Sequence, residues 1–385
     1  MPPRRATYLV AALFLCVPQL IAADAQDAPS NSAKPAVAPP PPKKFVEVPR
    51  GGNHLLHQSE PGYLAACLVV KDGNGDIREW IEYHLWAGVD KIFLFDHNSS
   101  IPMLRELEDY VVAGKVQYTY LTSELPKVKK FADGLQGRVF GQCLSQAKGY
   151  YKWLTDLDEL MMVTDPAFNG SIPAVLRDYE SNKQLGALII HRVIVGSGGV
   201  QSRQRGQGML ETFTKCIGRP GEHVKGIVRP EYAEVGGNAH YFFYAPGRNG
   251  IRIGDNKTVG HVHMVSNPTA GPLLIYHYSG SIDEQNARVK RNPEGVSGMT
   301  SKDPRMLAIL DARTNATCLL GRQAHDRMAA AGARSLGPRP LPAEAQAAAQ
   351  AAVRRVLLGA GGMRALGSGL GGSGRGFRLR GERMG

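Results

Sequence analysis

Residues 64–70, LAACLVV, form an unbroken apolar run of small and branched side chains, the pattern of a strand buried on both faces. Behind it Ile77, Trp80, Ile81, His84 and Leu85 recur at i, i+3, i+4, i+7 and i+8, one stripe of a helix that Gly88 ends. KIFLF (91–95) reads as the next strand. A helical stretch at 102–113, a strand at Val116–Leu121, a helix around Gly134–Gly149 and a strand at Trp153–Thr155 follow. Strands alternating with single helices predict a parallel sheet with right-handed crossovers. Such sheets bind ligands outside the carboxyl ends of their strands. That rule singles out Lys71 and Asp72, Asp96, and the pair Asp156 and Asp158.

The two ends of the chain follow other patterns. Arg4 and Arg5 precede Ala6–Ala23, 18 residues without a charge, and Ala23 and Ala25 make an A-x-A cleavage pattern. Residues 1–25 therefore read as a signal peptide or a signal anchor, and both deliver the remainder to a lumen or the exterior. Residues 26–60 form a Pro-rich stem, 61–322 the folded body, and 323–385 an Ala/Gly/Arg-rich tail with too little apolar content to join a core. The formal charge of +12 sits at these ends: residues 321–385 carry a net +8 and residues 1–50 a net +3, leaving about +1 for the body. No basic face for tracking nucleic-acid phosphates is expected on it. Cys67, Cys143, Cys216 and Cys318 lack the C-x-x-C spacing of a zinc site; disulfides suit an oxidising lumen, and their pairing is left open. Asn169-Gly-Ser, Asn256-Lys-Thr and Asn315-Ala-Thr fit the N-glycosylation pattern and agree with such a compartment.

The densest chemistry lies in WLTDLDELMMV. An apolar strand runs into Asp156-Leu-Asp158-Glu159, and strand alternation predicts both Asp side chains on one side with Leu157 pointing away. Two neighbouring carboxylates repel, and a divalent Mn²⁺ or Mg²⁺ ion relieves that cost while gripping substrate phosphates. Asp96, followed by Asn98 and Ser99, offers a carboxylate for ribose hydroxyls or a base N–H, or else an Asx-turn. The Gly-rich segment GSGGVQSRQRGQGMLETFTKC suggests a mobile loop closing over substrate. Glu211 within it is the expected general base, with Asp283 and Glu284 as alternatives. Lys225 and Arg229 offer charge to offset a departing diphosphate, or else are ordinary solvated charges. His261 and His263 read as structural.

Taken in order, CLVVKDGNGDIREWIEYHLWAGVDKIFLFDHNSS, WLTDLDELMMV, GMLETFTKC, VKGIVRPEYAEV, NAHYFFYAPG and LLIYHYSGSIDEQNARVKR resemble glycosyltransferase family 92, and more broadly the inverting GT-A enzymes, over about residues 64–292. The resemblance implies a Rossmann-like GT-A fold, a mixed sheet with flanking helices in a single catalytic domain. It also implies a UDP-sugar donor, transfer (often of galactose) to a glycan or glycoprotein acceptor, and Mn²⁺ held by Asp156, Asp158 and His277. Lys71, Asp96, Asn98, Gln136, Lys225 and Arg229 make up the expected nucleotide-sugar set. A Golgi or ER membrane location with a luminal body follows, or secretion if the leader is cleaved. The chain departs from the family in having Asp72-Gly73 after the first strand where Asn-Glu is usual, Leu160 for an aromatic, and no Lys in His277-Tyr-Ser-Gly-Ser281. A nucleotidyltransferase, or a catalytically degenerate glycan-binding protein of this fold, are the competing readings.

Overall fold

The computed structural model describes residues 62–121, 135–146, 151–204, 206–260, 263–291 and 304–333. The leader, the stem, the tail beyond 333 and His261 lie outside them. Strands β1 (Leu64–Val70), β2 (Lys91–His97), β3 (Val116–Leu121) and β4 (Tyr151–Thr155) alternate with α1 (Ile77–Trp86), α2 (Glu108–Val112) and α3 (Leu135–Ser145). They pair in parallel in the order β4-β1-β2-β3, as the alternation predicts. The register aligns Val70 with Asp96 and Leu68 with Thr155, so the residues after β4, β1 and β2 emerge along one sheet edge.

β4 ends at Thr155, just before the acids, as the apolar pattern predicts. Glu159 donates its N–H to the Asp156 carbonyl at 3.2 Å, closing a tight turn, and β5 (Glu159–Val163) leaves in a new direction. Next come α4 (Ile172–Tyr179), β6 (Leu185–Val195), α5 (Met209–Thr212), β7 (Lys215–Cys216), β8 (Val224–Val228), the hairpin β9 (Ala233–Asn238) and β10 (Tyr241–Tyr244), β11 (Asn249–Arg252), β12 (Thr258–Val259) and β13 (Leu273–Tyr278). Helices α6 (Ile282–Arg291) and α7 (Pro304–Ala312), strand β14 (Ala316–Thr317) and α8 (Leu320–Ala330) close the described chain. β8 inserts antiparallel between β4 and β6, which makes the sheet mixed. The eleven residues of β6 are long enough to pair with β8 and β11 in one half and, in parallel, with β13 in the other. β13 in turn runs antiparallel to β5.

The sheet is covered on both faces. Along β1, Leu64, Ala66, Leu68 and Val70 join one core with Trp80, Trp153 and Tyr278, while Ala65 and Cys67 join a second with Phe93, Phe140 and Phe242. This period of two explains why the run carries no polar position. The predicted stripe of α1 is buried, and its polar atoms anchor the turn after β4: Trp80 Nε1 donates to the Glu159 carbonyl at 2.8 Å and the Tyr83 hydroxyl to that of Met161 at 2.7 Å. Disulfides Cys67–Cys143 and Cys216–Cys318 tie α3 to β1 and the link between β14 and α8 to β7. One predicted boundary shifts. Ala324 and Met328 of α8 are buried and Ala333 packs on the same core, so the body runs past Arg322 to at least residue 333. Among the described residues no helix is long and apolar enough to cross a membrane.

Candidate active site

The turn between β4 and β5 presents Asp156 and Asp158 where β8, α3, β13 and α6 converge. β8 enters antiparallel, with Trp153 opposite Ile227, so Lys225 arrives beside the carboxyl end of β4. Its Nζ lies 2.6 Å from Asp156 Oδ2 and also pairs with Glu159 Oε2, although Lys225 and Glu159 are each only 2% exposed. From α3, Gln136 Nε2 reaches Asp156 Oδ1 at 3.4 Å. β13 lays His277 opposite Glu159 and places its Nε2 3.7 Å from Asp158 Oδ2. The Tyr278 N–H holds the Asp158 carbonyl at 2.8 Å, and Arg288 of α6 brings Nη1 to 3.4 Å from Asp158 Oδ2.

Burial alone would favour neutral carboxyls here, but the Lys225 ammonium outweighs it at Asp156 and holds that group below the usual carboxylate range. At Glu159 burial prevails over Lys225 and, with the two Asp charges, pushes the carboxyl up to about 7. Lys225 loses to burial but gains more from its two carboxylates, and its pKa rises. Burial lowers His277 to about 4 against the pull of Asp158, with Arg192, Arg288 and Lys225 adding to the fall. At neutral pH this imidazole is uncharged.

A divalent ion places strict spacing demands on these donors. Oxygen and nitrogen ligands near 2.1 Å from an octahedral ion stand about 3.0 Å apart when adjacent and about 4.2 Å when opposite. The 3.7 Å between Asp158 and a neutral His277 lies between these two separations, so the pair needs a shift of at least about 0.5 Å to share such an ion. Asp156, however, is held by Lys225, and among the described residues no group of three His, Cys, Asp or Glu is drawn together closely enough to hold an ion. Asp158 and His277 stand near each other at the mouth of the turn, and Asp156 is engaged beside them by Lys225.

The other predicted residues divide. Leu157 does point away from the acids, packing against the β1–α1 turn: a Cβ on Gly73 would stand 2.8 Å from its Cδ2, which accounts for glycine at that position. Lys71 and Asn98 are exposed at the same sheet edge, Asn98 in the left-handed region at φ 51°. Asp96 is fully buried and builds its own turn, its oxygens accepting from the N–H groups of Ser99 and Met103 and from the Tyr118 hydroxyl at 2.6 Å. Arg229 is a correction. Because β8 is antiparallel, the residue after it lies at the opposite end of β4 from Asp156, where Arg229 stacks on Tyr151 and Tyr232.

Glu211 accepts from the Gly208 N–H at 3.0 Å, capping α5, and sits 3.4 Å from His325 Nε2 of α8. Its described contacts thus run to α8 and not to the acid pair. The Gly-rich loop before it is latched where mobility was expected. Ser197 binds Asp311, Gln201 and Ser202 bind Asp283, and Arg203 bridges Asp76 and Glu284.

Sequence reasoning gave no role to Glu159, Arg192, His240 or Arg288. Glu159 stood in view as the last letter of D-x-D-E. Arg192 stands beside His191 in the largely apolar β6, within electrostatic reach of all three acids. His240 turns the β9–β10 hairpin toward Lys225 and Asp156, and its Nδ1 faces the Val224 carbonyl at 2.7 Å.

Residues 71–261 match the family model for glycosyltransferase family 92. Curated proteins similar to the chain include a glycosyltransferase family 92 protein of Oryza sativa subsp. japonica, 25% identical over 261 residues, 66% of this chain and 38% of the relative. Others are from Ricinus communis, 25% identical over 179 residues (45% and 29%), and Arabidopsis thaliana, 25% identical over 224 residues (56% and 35%). The chain thus spans about two fifths or less of the length of these relatives. Among solved structures, S. aureus TarS is similar at 15% identity and a TM-score of 0.26 over 34% of this chain and 22% of that one. TarS 1-349 is similar at 12% identity and 0.28 over 77% and 80%.

Proposed function

We propose, taking residues 71–261 as the glycosyltransferase family 92 domain they form, that this chain transfers a sugar from a UDP-sugar to a glycan or glycoprotein acceptor. Galactose is the sugar proposed, with inversion at the anomeric carbon. One observation carries the reading: a single sheet edge gathers two carboxylates, a neutral imidazole and the cations Lys225, Arg192 and Arg288. Such a set suits a diphosphate, whose charge needs both a grip and neutralisation as it departs. Asp156, Asp158 and His277 would hold Mn²⁺ or Mg²⁺, which supplies Lewis-acid charge to the diphosphate oxygens. Lys225, released from Asp156, and Arg288 face the same charge from the protein side, and Gln136 offers an amide donor. The sugar is then held so that an acceptor hydroxyl approaches from the face opposite the diphosphate, which is the source of the inversion. A luminal, membrane-tethered or secreted body is proposed from the uncharged stretch Ala6–Ala23 and from two disulfides suited to an oxidising compartment.

A panel of UDP-sugars, each incubated with the full chain in Mn²⁺ and in chelator, tests this. Slow release of UDP from UDP-galactose, dependent on Mn²⁺, is expected. Release from none of the panel, together with glycan binding, would make the chain a degenerate binding protein.

A further inference from the structure

Asn169 follows a short helical turn at Pro166–Phe168, and with Gly170 it makes two successive left-handed residues, φ 47° and 78°, on an exposed bend. Ser171, the third residue of this Asn-x-Ser match, caps α4 by accepting the Ala174 N–H. Arg327 of α8 donates from Nη2 to the Asn169 carbonyl at 3.2 Å and to its Oδ1 at 2.8 Å. A guanidinium has only donors, so the side-chain oxygen must face it and the amide nitrogen Nδ2 faces away. Arg327 also lies over the Trp86 ring, 5.1 Å from its centroid. Beside this bend opens a cavity of about 380 Å³, lined among others by Tyr83, Trp86, Val163, Gly170, Gln323 and Arg327. It is within the range of roughly 300–1,000 Å³ common to ligand clefts. A half-buried indole rimmed by an amide and a guanidinium suits a pyranose, whose C–H face packs on the ring while its hydroxyls meet the polar rim. The transfer chemistry uses none of these residues.

We propose that Asn169 carries an N-linked glycan whose first sugars pack into this cavity against Trp86. The inference rests on the luminal placement proposed above. In the modification the Asn169 amide nitrogen bonds the anomeric carbon of an oligosaccharide carried on a polyprenyl diphosphate. The lipid diphosphate leaves and the amide proton passes to solvent. Asn256 and Asn315 are exposed and serve as internal references.

The full chain, produced in a eukaryotic cell that glycosylates, is mapped by glycopeptide mass spectrometry. An occupied Asn169 is expected, as is loss of one glycan's mass in Asn169→Gln. An amidase should release this glycan from the native protein at least tenfold more slowly than after denaturation. Trp86→Leu, or the milder exposed change Gln323→Ala should the first not fold, should narrow that ratio severalfold. An empty Asn169 beside an occupied Asn256 or Asn315 overturns the proposal. Three empty positions overturn the luminal placement and the proposal with it, while leaving UDP-sugar turnover to stand on its own assay. An occupied Asn169 released equally fast in native, denatured and variant protein refutes the packing.

Discussion

Lys225→Met keeps an unbranched side chain of similar reach and removes the ammonium that joins Asp156 to Glu159. Lys225 and Glu159 are both 2% exposed, so at a pH above the Glu159 value of about 7 the change leaves a buried carboxylate without its cation. Breaking a buried pair in this way costs roughly 3–5 kcal/mol. With about 2–4 °C of Tm per kcal/mol in a domain of this size, the variant should melt about 6–20 °C below the parent. Asp156 is 37% exposed, and water relieves it; most of the cost therefore belongs to Glu159. Adding Glu159→Gln, a neutral group of the same shape, should restore more than half of the loss. UDP affinity should stay low in the single and the double variant, because the cation is missing from both. Thermal melts and a urea double-mutant cycle read the stability, and calorimetry reads the binding. Melting within about 2 °C of the parent, or no rescue by Glu159→Gln, would refute the reasoning.

Other outcomes follow from the same geometry. His84 is buried and neutral, with Nδ1 facing the Trp80 carbonyl at 2.8 Å, Nε2 facing the Met161 N–H at 3.4 Å, and burial lowering its pKa to about 3. The unfolded chain binds a proton at about 6.5 and the fold resists until about 3; stability is therefore full above the higher value and falls with pH between them, by at most about 1.4 kcal/mol per unit. His84→Gln should flatten the acid limb of a Tm-against-pH curve, and an unchanged slope would contradict this. A chain ending at 322 should lose cooperative melting and one ending at 334 should keep it; equal melts would show α8 to be dispensable. Replacing Cys67 and Cys143 together by Ala opens a 76-residue loop and should cost about 4 kcal/mol, visible as a lower urea midpoint. Retained stability would mean that the bridge constrains little.

The parallel half of the sheet was legible because each strand and helix there follows one local period. LAACLVV, the α1 stripe and KIFLF needed no distant information to be placed. Asp156 and Asp158 were legible for the same reason, standing where an apolar strand ends. What lay beyond reach is long-range. Nothing local says that β8 runs antiparallel, and that reversal alone sends Lys225 to the acids and Arg229 to the opposite end of β4. Arg288 could not be placed without the path of α6, nor Asp96 without Tyr118 of the neighbouring strand. The Gly-rich segment read as mobile from composition, but Asp76, Asp283, Glu284 and Asp311, all distant in sequence, pin it. The boundary at 322 failed because an Ala-rich helix looks alike in a tail and on a core, and only Met328 marks the difference.

Asp158 is the proposed ligand of an ion that carries the diphosphate. Asp158→Asn alters charge with almost no change in shape, so fold and Tm should survive. Calorimetric titration of UDP into parent and variant, each with and without Mn²⁺, measures the claim directly. The parent should bind UDP far more tightly with Mn²⁺, and the variant should lose at least about a hundredfold of that affinity, roughly 2.7 kcal/mol. An Asp158→Asn protein that binds UDP with unchanged Mn²⁺ dependence would contradict it and reduce the acid pair to a turn.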